Sequence, residues 1–79
     1  MNYFIIVYKN THDAMYSEKI LNENNFEFKI MPTPTSITQS CGICTRFSRE
    51  EEVRKIIQEK IIDFKNVYQK DSKGFKLIA

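Results

Sequence analysis

Glycine and proline are scarce in this chain, two of each in 79 residues. With 42% hydrophobic residues alongside that scarcity, a disordered or linker-like polypeptide is excluded, and the chain should fold. Long apolar runs are missing as well. The longest, residues 3–8, falls far short of the ~20 residues that a membrane span needs. No basic segment precedes it and no small-residue cleavage site follows, so it reads as a strand and not as a secretion signal. There is no large excess of either charge: twelve basic residues against ten acidic ones leave +2. That balance lacks the clustered basic stripe of a nucleic-acid binder, and nucleic acid is not an expected partner. Cysteine is limited to two residues, which without a secretion signal suggests a reducing compartment, unpaired thiols and a cytoplasmic location. Two thiols and a single distant His12 do not complete a four-ligand zinc shell, so neither a metal nor another cofactor is expected.

What is present suits one small domain spanning residues 1–79. A chain of this size buries a modest core, and a partner or a homodimer surface would add to it. Residues 3–8 (YFIIVY) form a continuous apolar, β-branched and aromatic run, the pattern of a central strand. Asn10 and Thr11 offer side-chain oxygens to cap a helix, with Asp13 in its first turn. Ala14, Ser17 and Leu21 share a helical face, and the polar stretch 22–25 ends it. Residues 26–30 alternate, placing Phe26, Phe28 and Ile30 inward, and Pro32 and Pro34 stop the strand.

Residues 43–47 read as a third strand. Ser48 and Glu51 form a capping box for a second helix, whose stripe is Val53, Ile56, Ile57, Ile61 and Phe64. Residues 67–69 suit a fourth strand, and the turn 71–74 leads to an apolar tail at 75–78. The order β-α-β-β-α-β gives an α+β, ferredoxin-like fold. It has a four-stranded antiparallel sheet with two helices on one face, and the tail could add a hairpin strand.

In that topology the loop after the first strand, the 32–41 loop and the end of the second helix share one edge of the sheet. The start of the first helix, with Thr11 and His12, therefore faces the loop carrying Ser40, Cys41 and Gly42. A helix N-terminus favours anions, a thiolate among them. Gly42 permits a sharp turn or a close approach, and Arg46 supplies a positive charge further along. Cys41 and Cys44 form a C-x-x-C, but an extended strand would hold their Cα atoms roughly 10 Å apart, beyond the ~7 Å a disulfide tolerates. A disulfide would require a turn at Gly42. Cys44 therefore reads as a structural or auxiliary thiol.

The stretch FKIMPTPTSITQSCGICTRF, with the opening YFIIVYKNTHDAMYSEKILNENNFEFK, resembles the selenium/sulfur carrier-like family of small bacterial proteins. The P-T-P, the S-C-G, the following basic residue and T-H-D-A carry the resemblance. It implies a carrier thiol at Cys41, holding sulfur or selenium as a persulfide or its selenium counterpart. It also implies a donor such as a cysteine desulfurase-like enzyme, an acceptor protein, and no free-standing enzymatic turnover. Cys44 occupies a position where the family typically carries a small non-thiol residue. The alternative is a non-catalytic interaction or assembly module using the open sheet face. Single-stranded nucleic-acid binding is disfavoured because the third strand, Cys41 to Phe47, lacks the stacked aromatic residues that such platforms need.

Overall fold

The computed structural model describes residues 2–37 and 42–79. In chain order its elements are β1 (Tyr3–Val7), α1 (Thr11–Glu23), β2 (Phe28–Pro32), β3 (Ile43–Phe47), α2 (Glu50–Glu59), β4 (Asn66–Asp71) and β5 (Gly74–Leu77). The strands pair antiparallel throughout, in the order β2-β3-β1-β4-β5. This is the α+β, ferredoxin-like arrangement the element order predicts, with the hairpin strand realised as a fifth member of the sheet. The β4–β5 turn rests on Asp71, whose carboxylate accepts from the Lys73 amide at 2.8 Å. Gly74 follows at φ 121°, a conformation that side chains other than glycine's rarely allow.

β1 lies in the middle of the sheet, and its alternating side chains feed two separate clusters. Phe4, Ile6 and Tyr8 join Phe47 and Val67 beneath the helices, where Ala14 and Leu21 of α1 and Val53 and Ile56 of α2 meet them. Tyr8 is fully buried, and its hydroxyl shares a 2.8 Å hydrogen bond with that of Thr45. That bond lets two polar groups enter the apolar layer without losing their partners. On the opposite face Ile5, Val7 and Cys44 form a smaller cluster.

Local signals set the ends of α1. The Asn10 side chain accepts from the Asp13 amide at 2.8 Å, the expected cap. At the other end Asn24 donates to the Ile20 carbonyl through both its backbone and side-chain nitrogens, and Asn25 takes the left-handed conformation, φ 60°.

α2 departs from expectation at both ends. The cap is Arg49 and not Ser48, without a side-chain cap bond. Glu51 therefore falls one position short of the reciprocal site in a capping box. It accepts instead from Arg49 Nε at 2.8 Å, and this hydrogen bond holds its carboxyl below the usual carboxylate range. Both partners are well exposed, so the pair adds little stability. The residue three beyond the cap, Glu52, accepts from the Glu27 amide at 3.0 Å, tying the start of α2 to the approach to β2. The helix ends at Lys60, which is left-handed at φ 51°. Ile61, Ile62 and Phe64 thus pack on the core from an irregular segment and not from a helical stripe.

β2 starts two residues later than the alternation suggested and includes Pro32. As an edge strand it can accommodate a residue that donates no ladder hydrogen bond. Edge position also corrects the inward reading of Ile30. Its register opposite Thr45 puts it on the helix side, yet it remains 39% exposed because the core does not extend over the margin.

The sheet face away from the helices was expected to be open, and it is only partly so. The Thr33 amide donates to the Gly42 carbonyl at 3.0 Å, and the Ile37 amide to the Pro34 carbonyl at 3.1 Å. This turn folds Ile37 back over the sheet, where it is 5% exposed and packs with Ile5, Val7 and Cys44.

Candidate functional site

Antiparallel pairing determines which loops meet. Val7 at the end of β1 faces Cys44 on one side and Asn66 on the other, and Pro32 at the end of β2 faces Ile43. The segment after α2 is drawn to the same place by the Lys65 amide, which donates to the Val7 carbonyl at 2.8 Å. One end of the sheet thus gathers the start of α1, the turn at 33–37, Gly42 and the connection into β4. Thr11 and His12 are both exposed in the first turn of α1. The positive end of that helix's dipole lies at this end of the sheet.

Cys41 and Ser40 lie outside the described residues. Gly42, the neighbour of Cys41 in the chain, is exposed. Its φ lies outside the left-handed region, and a Cβ built on it would meet no atom within 4 Å. Neither a strained turn nor a close intramolecular contact therefore demands glycine here.

Cys44 is fully buried. It lies beneath the smaller cluster, with Sγ 3.9 Å from the Pro32 carbonyl. Its surroundings are Ile5, Val7 and Ile37, an apolar setting in which a thiol is inert. This accords with Cys44 as a structural thiol.

Arg46 does not join the others. It stands four positions along β3 from Gly42, about 13 Å at the usual strand rise. Its guanidinium carbon sits 4.1 Å from the centre of the Tyr3 ring. The charge is held by a cation–π contact at the far end of the sheet, so the structure brings together Gly42, Thr11 and His12 and leaves Arg46 elsewhere. Among the described residues no group of three or more histidine, cysteine or acidic side chains could hold a metal ion. No helix among them is long and apolar enough to cross a membrane.

Sequence reasoning missed Ile37, which anchors the turn at residues 33–37 on the sheet. The available signal was its isolation: within residues 33–40 it is the sole aliphatic side chain, and an apolar residue stranded in a polar loop tends to seek a surface to cover. The Tyr8–Thr45 hydrogen bond was also missed, since it joins residues 37 positions apart.

No curated protein and no solved structure matches the chain. The profile of the family described as "Putative Se/S carrier protein-like" matches residues 3–69, from the first residue of β1 into β4. With the match covering most of the sequence, the chain belongs to the Se/S carrier protein-like family.

Proposed function

We propose that this protein is a thiol-based carrier that holds sulfur or selenium on Cys41 and passes it from a donor to an acceptor protein in the cytoplasm. The observation that carries the reading is the family match over residues 3–69, which spans the S-C-G sequence containing Cys41. Two features of the neighbouring residues support it. Gly42 leaves space for an approaching partner, and the positive end of α1 lies at the same end of the sheet, where it would favour a thiolate over a thiol.

The loading step is an exchange without net oxidation. The Cys41 thiolate attacks the terminal sulfur of a donor persulfide, such as that of a cysteine desulfurase-like enzyme. A new sulfur–sulfur bond forms on Cys41, the donor's sulfur–sulfur bond breaks, and the donor cysteine leaves as a thiolate. The transferred sulfur keeps its proton. Delivery is the same exchange with an acceptor thiolate as the attacking group, and selenium would move in the same way from a donor sulfur–selenium bond. The protein is loaded and unloaded once per cycle and serves as a carrier, not as an enzyme with its own turnover.

Intact-mass spectrometry after incubation with a persulfide donor tests the reading. The wild-type protein and a Cys44→Ser variant should each gain the mass of one sulfur atom, and a Cys41→Ser variant should gain none. Equal loading of the Cys41→Ser variant would overturn the assignment.

A further inference from the structure

The part of the helix-free sheet face beyond the reach of Ile37 carries a pattern that the carrier reading does not use. Pairing across all five strands aligns Lys29, Arg46, Ile5, Tyr68 and Leu77 in one row. A parallel row two residues along the strands aligns Tyr3, Lys70 and Phe75. At ordinary spacings the rows are about 7 Å apart, and the longer one crosses roughly 19 Å of sheet. The side chains are linked. The Arg46 guanidinium lies over Tyr3, the Tyr3 and Phe75 rings meet edge to face at 6.4 Å, and the Lys70 ammonium lies 5.4 Å from the centre of the Phe75 ring. Tyr3, Tyr68, Phe75, Arg46 and Lys70 are half-buried and Lys29 is exposed, so the group forms a platform and not a core.

Charge is segregated about this platform. The ionisable groups on its strands, apart from the tyrosines, are Lys29, Arg46 and Lys70, and at its margin Glu27, just before β2, lines a shallow pocket with Lys29 and Arg46. The ten acidic residues lie on the helices and in connections, or in the case of Asp71 at a helix-side position of β4. The overall charge of +2 conceals this division. A surface that carries three cations and three aromatic rings, with one acid at its margin, complements a chain of phosphates that also presents flat rings. Bases stack on aromatic and guanidinium planes, while phosphates pair with the cations.

We infer that this sheet face binds single-stranded nucleic acid through stacking on Tyr3, Tyr68 and Phe75 and phosphate pairing with Lys29, Arg46 and Lys70. The sequence argued against such a partner because the third strand lacks the stacked aromatic residues of such platforms, and the aromatic residue β3 does carry, Phe47, is buried on the helix side. In the folded protein the rings come from β1, β4 and β5. Phe75 and Lys70 lie beyond the segment matched to the family, while Tyr3, Lys29, Arg46 and Tyr68 lie within it; none of the six is used by the carrier reading.

Fluorescence anisotropy with short labelled oligouridine and oligothymidine tests the inference. Binding should be detectable at about 0.1 mM protein or below and should weaken about 20-fold between about 50 and 200 mM salt, as three phosphate contacts on a single strand require. Phe75→Leu and Tyr68→Leu should each weaken it at least about fivefold, the lower limit for losing one stacked base. Arg46→Gln with Lys70→Gln should weaken it and flatten the salt dependence. Thermal melting establishes that each variant is folded, and Cys41→Ser should bind as the wild type does, separating this surface from the thiol. A preference for one oligonucleotide would identify RNA or DNA as the ligand. Absence of binding to both would overturn the inference. So would equal displacement by polyglutamate together with unchanged binding by the leucine variants, which would mark an interface for an acidic protein.

Discussion

Replacing Ile37 by Ala should loosen the turn at residues 33–37 from the sheet and expose the thiol beneath it. Ile37 is 5% exposed and packs with Ile5, Val7 and Cys44. The cluster is small and one of its walls is a loop that can relax, which places the cost near the lower end of the Ile→Ala range, about 2 kcal/mol. Against the roughly 4–12 kcal/mol expected for a domain of this size, the protein should stay folded. If the lost energy comes from local opening, the open population rises about 30-fold for 2 kcal/mol.

Cys44 reports that population directly, because its side chain is fully buried in the closed state. In a Cys41→Ser background, alkylation of Cys44 by a neutral maleimide under native conditions should be slow. It should accelerate about 30-fold in Ile37→Ala, at a rate independent of global unfolding by denaturant. Rapid labelling of Cys44 in the parent, or no acceleration in Ile37→Ala despite lowered stability, would refute the account of Ile37 as the cover of this face.

Two further consequences concern the scaffold. Tyr8→Phe removes the buried hydroxyl pair with Thr45 and should cost about 1–2 kcal/mol in urea unfolding without altering secondary structure by circular dichroism. Lys60→Gly relieves a left-handed backbone at the end of α2. It should raise stability by about 1 kcal/mol, seen as a higher melting temperature, since glycine adopts this conformation without steric penalty.

Elements governed by neighbours in the chain were legible in the sequence. The β-branched run of β1 called for burial on both faces, and each face received its own cluster. Asn10 capped α1 and the asparagines after residue 21 ended it, because a cap needs only groups within a few residues. The succession of strands and helices was enough to specify the antiparallel α+β fold and the sheet end at which Gly42, Thr11 and His12 gather, since β1 must reverse direction relative to β3. The candidate thiol was chosen at the same level, from an S-C-G sequence and not from geometry.

Other features were decided only by contacts between distant segments. Glu51 bonds Arg49 and not the Ser48 end of a capping box, because Arg49 keeps an extended backbone and α2 begins only at Glu50, a boundary that Glu52 helps set by reaching the distant Glu27 amide. Ile30 has the inward parity but lacks cover, because β2 falls at the margin of the sheet. Arg46 leaves the end of the sheet where Gly42 lies for Tyr3, and Tyr3, Lys70 and Phe75 become neighbours only when β1, β4 and β5 align. Periodicity along a chain tells which side of its own strand a residue occupies. The strand beside it, the layer above it and the charge across from it are products of register and packing, which exist only once the whole sheet has closed.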